Sequence, residues 1–131
     1  MKEKIMAVFP DIGREVSIEL DDSHCPKTVQ AIVASLPIEV SVNRWGDELY
    51  TEKTQISEVE EDGKRKVNLF DVAYWPEGKA LCLFLGSTPI SKPGEILAYS
   101  PVNIVGKIIT DEDQKKDILD KINTSSRVIF K

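Results

Sequence analysis

Short alternations of apolar and polar residues run through much of the chain. Residues 15–20 and 38–45 place apolar side chains at every second position, the period of a strand with one buried face. Further apolar runs of strand length lie at residues 4–9, 48–51, 67–75, 81–85, 102–108 and 127–130. The pattern therefore predicts about eight short strands separated by glycine and proline turns.

Two segments have helical spacing instead. Residues 26–35 begin with proline, which suits the first helical position, and Pro37 ends this helix. A second helix begins at a cap, Thr110 or Asp111, and carries an apolar stripe over residues 118–122. Because helices and strands do not alternate regularly, a closed barrel or a sandwich is favoured over a parallel α/β sheet.

Length and charge limit the classes of protein and partner. The chain has 131 residues, of which 41% are hydrophobic and 30% charged, which predicts a single globular domain over residues 1–131. The net charge of -5 disfavours nucleic acid as a partner. No segment has the length and polarity of a signal peptide or a membrane span, so we expect a cytoplasmic protein without a membrane partner.

The charged residues 54–66 predict a solvated hairpin or loop tip.

The cysteines and the histidine give few candidates for chemistry. Cys25 and Cys82 are too far apart for a CxxC motif, and in the cytoplasm we expect free thiols. Asp21, Asp22, His24 and Cys25 have no standard zinc spacing, so loop and cap roles are expected, without a metal or another cofactor. One alternative is a Cys25 nucleophile at a helix N-terminus, assisted by His24.

Four ordered blocks resemble small bacterial and archaeal cyclophilin-like proteins. They are WGDELY at residues 45–50, DVAYWPEG at 71–78, FLGSTPIS at 84–91 and SPVNIVG at 100–106. In that family the similar runs read WGxEIY, GDIAYWPxG, FFGPTPxS and SPVNxIG. The PKT at residues 26–28 also resembles the start of the first cyclophilin helix. Two departures are Phe70, where glycine usually precedes the aspartate, and Ser87, where proline is common.

The resemblance implies a mainly β fold, a closed eight-stranded cyclophilin-like barrel with about two short helices, without implying an activity. Prolyl isomerisation needs an apolar pocket and a donor, usually arginine, directed at the prolyl nitrogen. The FHR and QGGD blocks typical of true cyclophilins are absent from the sequence. Of the arginines, only Arg44 adjoins an aromatic motif, so a weak isomerase would have to use it.

The same blocks contain the candidate binding residues. We expect a groove of aromatic rings with a few polar contacts, the usual composition of a ligand site. The candidates are Trp45, Tyr50, Tyr74, Trp75, Phe84, Thr88, Ser91, Ser100 and Asn103. The competing interpretation is structural, with rings filling the barrel and hydroxyls such as those of Thr88 and Ser100 fixing proline turns.

The weak catalytic candidates are Arg44 and Glu48. A glutamate at the mouth of the barrel would lose solvent, its pKa would rise, and with Arg44 it could form an acid and donor pair. The leading hypothesis is a domain that binds a small molecule or an extended peptide. The alternatives are an enzyme, either a weak prolyl isomerase or an amide-processing protein, and a structural or assembly module. The sequence does not specify the oligomeric state.

Overall fold

Eight antiparallel strands close into a barrel in the computed structural model, which describes residues 2–122 and 126–131. The strands are β1 Lys2–Phe9, β2 Arg14–Asp21, β3 Ile38–Trp45, β4 Glu48–Thr51, β5 Lys64–Val67, β6 Asp71–Trp75, β7 Ala80–Phe84, β8 Ile96–Ile109 and β9 Ser126–Phe130. Their order is β2-β1-β9-β3-β4-β7-β6-β8, and β2 pairs again with β8 to close the ring. The predicted barrel is thus confirmed, and β5 is added outside the ring, paired with β8.

Closure depends on close backbone contact between β2 and β8. Leu20 is opposite Gly106, and the pairing continues to Ser17 opposite Ile109. A Cβ atom at Gly106 would lie 2.3 Å from the Glu19 carbonyl oxygen, so only glycine fits at this crossing. The glycine that ends the SPVNIVG block therefore has a packing role.

Alternation along the strands builds two separate apolar clusters. The larger one takes residues from all eight ring strands and fills the barrel, with Val72 and Tyr74 as its β6 members. The smaller one takes its buried residues from β5, β6, β7 and β8, and Tyr50 of β4 packs against it. Because neighbours on a strand point to opposite faces, Ala73 and Trp75 lie on the outer face of the barrel. This smaller cluster, called the outer cluster below, therefore lies beneath β5 and the first half of β8.

The predicted continuous strand over residues 67–75 is wrong, because the chain turns between β5 and β6. Phe70 has φ of 72°, a left-handed conformation that favours glycine, at the position where the resembling family has glycine. The Asp71 carboxylate accepts a hydrogen bond from the Asn68 amide and closes this turn. Because three of the four β5 residues are charged, apolar and polar residues do not alternate there, and the pattern did not predict this strand.

The acidic loop, defined as residues 52–63, is not a solvated tip throughout. Ile56 is buried in the barrel core. The Tyr74 hydroxyl donates a hydrogen bond to the Ile56 carbonyl and accepts one from the Glu58 amide. Asn103, fully buried, accepts from the Glu61 amide and donates to the Val59 carbonyl. Strand side chains therefore hold this loop against the barrel.

Both helices pack apolar residues into the barrel core. Helix α1, Pro26–Ser35, has the predicted bounds and contributes Val29 and Ile32. Helix α2, Glu112–Lys121, is capped by Asp111, whose side chain accepts a hydrogen bond from the Gln114 amide. It buries Ile118 and Leu119. In the described part of the chain, each helix is too short and too polar to cross a bilayer.

Candidate functional site

An open cavity of about 240 Å³ lies against the outer apolar cluster. Its lining comes from the end of β3, from β4, β6 and β7, and from the first half of β8. The lining residues are Trp45, Glu48, Tyr50, Trp75, Cys82, Ala98, Tyr99 and Val102. We refer to this cavity as the aromatic pocket. The pocket lies on the outer face of the barrel wall and opens to solvent, separate from the apolar core inside the barrel.

Three of the aromatic rings form a connected wall. Tyr99 makes an edge-to-face contact with Trp45 at 6.1 Å between centroids and another with Trp75 at 6.0 Å. The indole N–H of Trp75 donates to the Ser100 hydroxyl, which fixes the orientation of that ring. Tyr99 itself is 63% exposed, so it covers the pocket from the solvent side.

Backbone hydrogen bonds hold the Trp45 end of this wall. Trp45 ends β3 beside a turn in which Gly46 has φ of 62°. The Asp47 amide donates to the Ser87 carbonyl and the Leu85 amide to the Asp47 carbonyl, at 2.9 and 3.0 Å. The β3–β4 turn is therefore joined to the segment after β7, which places Trp45 at a fixed position on the rim.

Among the described residues, Glu48 is the only carboxylate that lines this pocket. It is 5% exposed, and its Oε1 atom has no hydrogen-bond partner within the described residues. Burial raises the pKa of the Glu48 carboxyl to about 7, although a hydrogen bond with the Cys82 thiol opposes the shift. The pocket thus combines apolar walls with one acid that changes charge near neutral pH.

Arg44 and Glu48 lie on opposite faces of the β3–β4 hairpin. In the register, Arg44 is opposite Leu49, and Trp45 is opposite Glu48. The Arg44 guanidinium donates to the Gly46 and Leu119 carbonyls and to the Asp47 carboxylate. The bond to Leu119 joins β3 to helix α2, and the other two stay within the β3–β4 hairpin. The structure therefore does not bring the two weak catalytic candidates together.

The nine predicted ligand contacts divide into three groups. Trp45, Tyr50 and Trp75 line the pocket, and Ser100 bonds to one of its rings. Phe84 belongs to the outer cluster but is fully buried behind the lining. The remaining four, Tyr74, Thr88, Ser91 and Asn103, lie outside the lining.

Hydrogen bonds account for those four positions. Tyr74 and Asn103 hold the acidic loop. The Thr88 hydroxyl donates to the Leu97 carbonyl at 2.6 Å, and the Ser91 hydroxyl accepts from the Thr88 and Leu97 amides. These two residues join the proline turn at residues 88–91 to the start of β8. The structural interpretation of the hydroxyls named Thr88 and Ser100, and the Ser100 hydroxyl instead accepts from the Trp75 indole.

Sequence reasoning missed Tyr99, and it did not include Cys82 among the candidate binding residues. Cys82 is buried and forms part of the floor of the pocket. Burial raises the pKa of its thiol well above the ordinary value, which favours the protonated thiol over the thiolate at neutral pH. The available signal was the ILAYSPVN run, in which an aromatic residue directly precedes the SPVN block.

The region around His24 does not assemble a catalytic or metal site. Burial raises the pKa of the Cys25 thiol to about 11, which contradicts a reactive thiolate at the start of α1. The Nδ1 atom of His24 lies 3.6 Å from the Oδ2 atom of Asp62 on the surface. Among residues 2–122 and 126–131 no group of three histidine, cysteine or acidic side chains could hold a metal ion. Both cysteines are free.

Comparison with known proteins identifies relatives for the whole fold. The family model described as Cyclophilin-like matches residues 3–131. The solution structure of the hypothetical protein AF2241 from Archaeoglobus fulgidus is 39% identical, with a TM-score of 0.79 over 99% of this chain and 94% of that one. No curated protein matches the chain.

A second solved structure shares the fold at low identity. McbB in complex with tryptophan is 12% identical, with a TM-score of 0.72 over 97% of this chain. The match covers 44% of the McbB chain, so this chain spans less than half of that protein.

Proposed function

This chain belongs to the cyclophilin-like family, and we propose that it binds a small molecule, or the tip of an extended peptide, in the aromatic pocket. The observation that carries the proposal is the buried carboxyl of Glu48 at the floor of an open aromatic cavity, with an Oε1 atom that has no partner among the described residues. Apolar walls with a few directed polar groups are typical of ligand sites. At about 240 Å³ the pocket suits a compact ligand or one side chain of a peptide.

The geometry around Tyr99 supports the same proposal. A tyrosine that is 63% exposed contributes little to the core, yet it is held between two tryptophans. Such an arrangement offers ring faces and edges to a ligand. Because the tyrosine is already held in place, ligand binding would restrict few further rotations of its side chain. That McbB was solved with bound tryptophan is consistent with small-molecule binding on a barrel of this kind. We further propose that residues 1–131 act as one domain in the cytoplasm.

Replacement of Tyr99 by alanine should weaken ligand binding about tenfold while leaving the folded barrel intact, because the ring is mostly exposed. The assay is a thermal-shift and fluorescence screen of metabolites and short peptides, followed by titration of the hits. Both tryptophans of the chain line the pocket, so their emission reports on it directly.

The matched control is Ile109→Ala, another exposed apolar residue, at the far end of the same strand. It should leave the affinity unchanged. Hits with the same affinity in the wild type and in Tyr99→Ala would contradict the proposed site.

A second candidate function is acid–base catalysis by Glu48, because a carboxyl with a pKa of about 7 can both donate and accept a proton at neutral pH. Such a role would suit the amide-processing alternative.

For prolyl isomerisation, the described lining of the pocket contains no arginine to act on the prolyl nitrogen. A proline-peptide isomerisation assay should therefore give the uncatalysed rate, with wild type and Arg44→Ala equal.

A further inference from the structure

We propose that the ligand of the aromatic pocket is a compact organic amine in its protonated form, held by Glu48 as counter-charge and hydrogen-bond acceptor. This inference rests on the proposed binding function and specifies the chemical class of the ligand. It is carried by three features of the pocket: an unpaired acceptor, aromatic faces, and the lack of a cation supplied by the described residues.

The first feature is the Oε1 atom of Glu48. Buried polar side-chain atoms in folded proteins nearly always have a hydrogen-bond partner, and this atom has none among the described residues. An ionised carboxylate only accepts hydrogen bonds, so a donor must come from outside the described chain. An ammonium N–H supplies both the donor and the opposite charge, and charge-assisted bonds of this kind are the strong ones.

The second feature is the composition of the walls. The faces of aromatic rings carry negative potential and attract cations, and tryptophan does so most strongly. Trp45, Trp75, Tyr50 and Tyr99 all line the cavity that contains Glu48. An ammonium group bonded to Glu48 would therefore place its carbon substituents among these rings.

The third feature is the electrostatic environment of Glu48. The titratable groups that share the pocket with it are the Cys82 thiol and the Tyr50 and Tyr99 phenols, from β7, β4 and β8. None of the ion pairs among the described residues includes Glu48. No described residue forms an ion pair with Glu48, and a ligand can provide the positive charge.

The affinity of a neutral ligand should depend on pH in the opposite direction to that of an amine. A ligand carbonyl would accept a hydrogen bond from protonated Glu48, so its affinity would fall as the pH rises through the pKa of about 7. An ammonium ligand requires ionised Glu48, so its affinity should rise about tenfold between about pH 6 and pH 8. The direction of the pH dependence therefore separates the two classes.

The test uses three probes with one shared ring: benzylamine, benzyltrimethylammonium and benzyl alcohol. They supply, respectively, a charge with N–H donors, a charge without a donor, and a neutral donor. Tryptophan fluorescence and calorimetry give the affinities for the wild type, for Glu48→Gln and for the control Glu3→Gln, whose glutamate is exposed on β1. Circular dichroism checks that each variant is folded.

We expect benzylamine to bind wild type and Glu3→Gln at least about tenfold more tightly than benzyl alcohol at about pH 8. In Glu48→Gln this preference should disappear while weak binding of the alcohol remains. Equal or tighter binding of benzyl alcohol, or an amine preference that survives in Glu48→Gln, would overturn the amine class and leave the pocket as a binding site. Failure of all three probes to bind the wild type would count against the amine class and against the proposed function together.

Discussion

Asn103→Ala is expected to lower the free energy of unfolding by about 4 kcal/mol, because it removes three hydrogen bonds made by one fully buried amide. The amide donates to the Thr28 hydroxyl and the Val59 carbonyl, at 3.1 and 2.9 Å, and accepts from the Glu61 amide at 2.8 Å. Each partner left unpaired costs about 1–3 kcal/mol.

Urea denaturation measures this loss, and hydrogen exchange locates it. The Glu61 amide should exchange faster in Asn103→Ala than in the wild type, since it loses its acceptor. The control is Asn68→Ala, whose side chain is exposed, and its stability should stay within about 0.5 kcal/mol of the wild type. A loss below about 1 kcal/mol in Asn103→Ala would contradict the role assigned to this side chain.

Glu48→Gln is expected to remove a loss of stability that the wild type undergoes as the pH rises. In the unfolded chain the carboxyl has its ordinary pKa of 4.5, and burial raises the folded value to about 7. The folded state therefore binds this proton more tightly than the unfolded state. Its contribution to stability is fully present below about pH 4.5 and is lost as the pH rises through about 7.

The difference between the two pKa values corresponds to about 3 kcal/mol. Relative to the wild type, Glu48→Gln should therefore gain about 3 kcal/mol between about pH 4 and pH 9. Burial also raises the pKa of Asp71, so the wild-type profile contains both groups, and only the difference between the two proteins isolates Glu48. Denaturant unfolding across this pH range gives the result. Parallel profiles for wild type and Glu48→Gln would show that the carboxyl is not desolvated.

The strands with regular alternation could be predicted from the sequence because one face of each is buried. Strands β3 and β4 and helix α1 have the predicted bounds. Strand β5 could not be predicted in this way, since three of its four residues are charged and its pairing with β8 supplies the order. The turn at Phe70 was also hidden, because an aromatic residue there masks a glycine-like conformation.

The motifs contain most of the residues that line the proposed pocket, but they do not give the face on which each side chain lies. Tyr74 and Trp75 are neighbours in one motif, yet one fills the core and the other lines the pocket. The register decides this, and a one-residue change in pairing would exchange them. Tyr99 was missed because one exposed aromatic in a long strand gives no periodic signal.

The most direct test of the account is a carbon-13 NMR titration of the Glu48 carboxyl, with and without saturating benzylamine. We predict a pKa of about 7 in the free protein. With the amine bound, this pKa should fall by at least about one pH unit, and the indole signals of Trp45 and Trp75 should shift. An ordinary glutamate pKa that the amine does not change, with both indole signals unmoved, would contradict a ligand site on the outer face of this barrel.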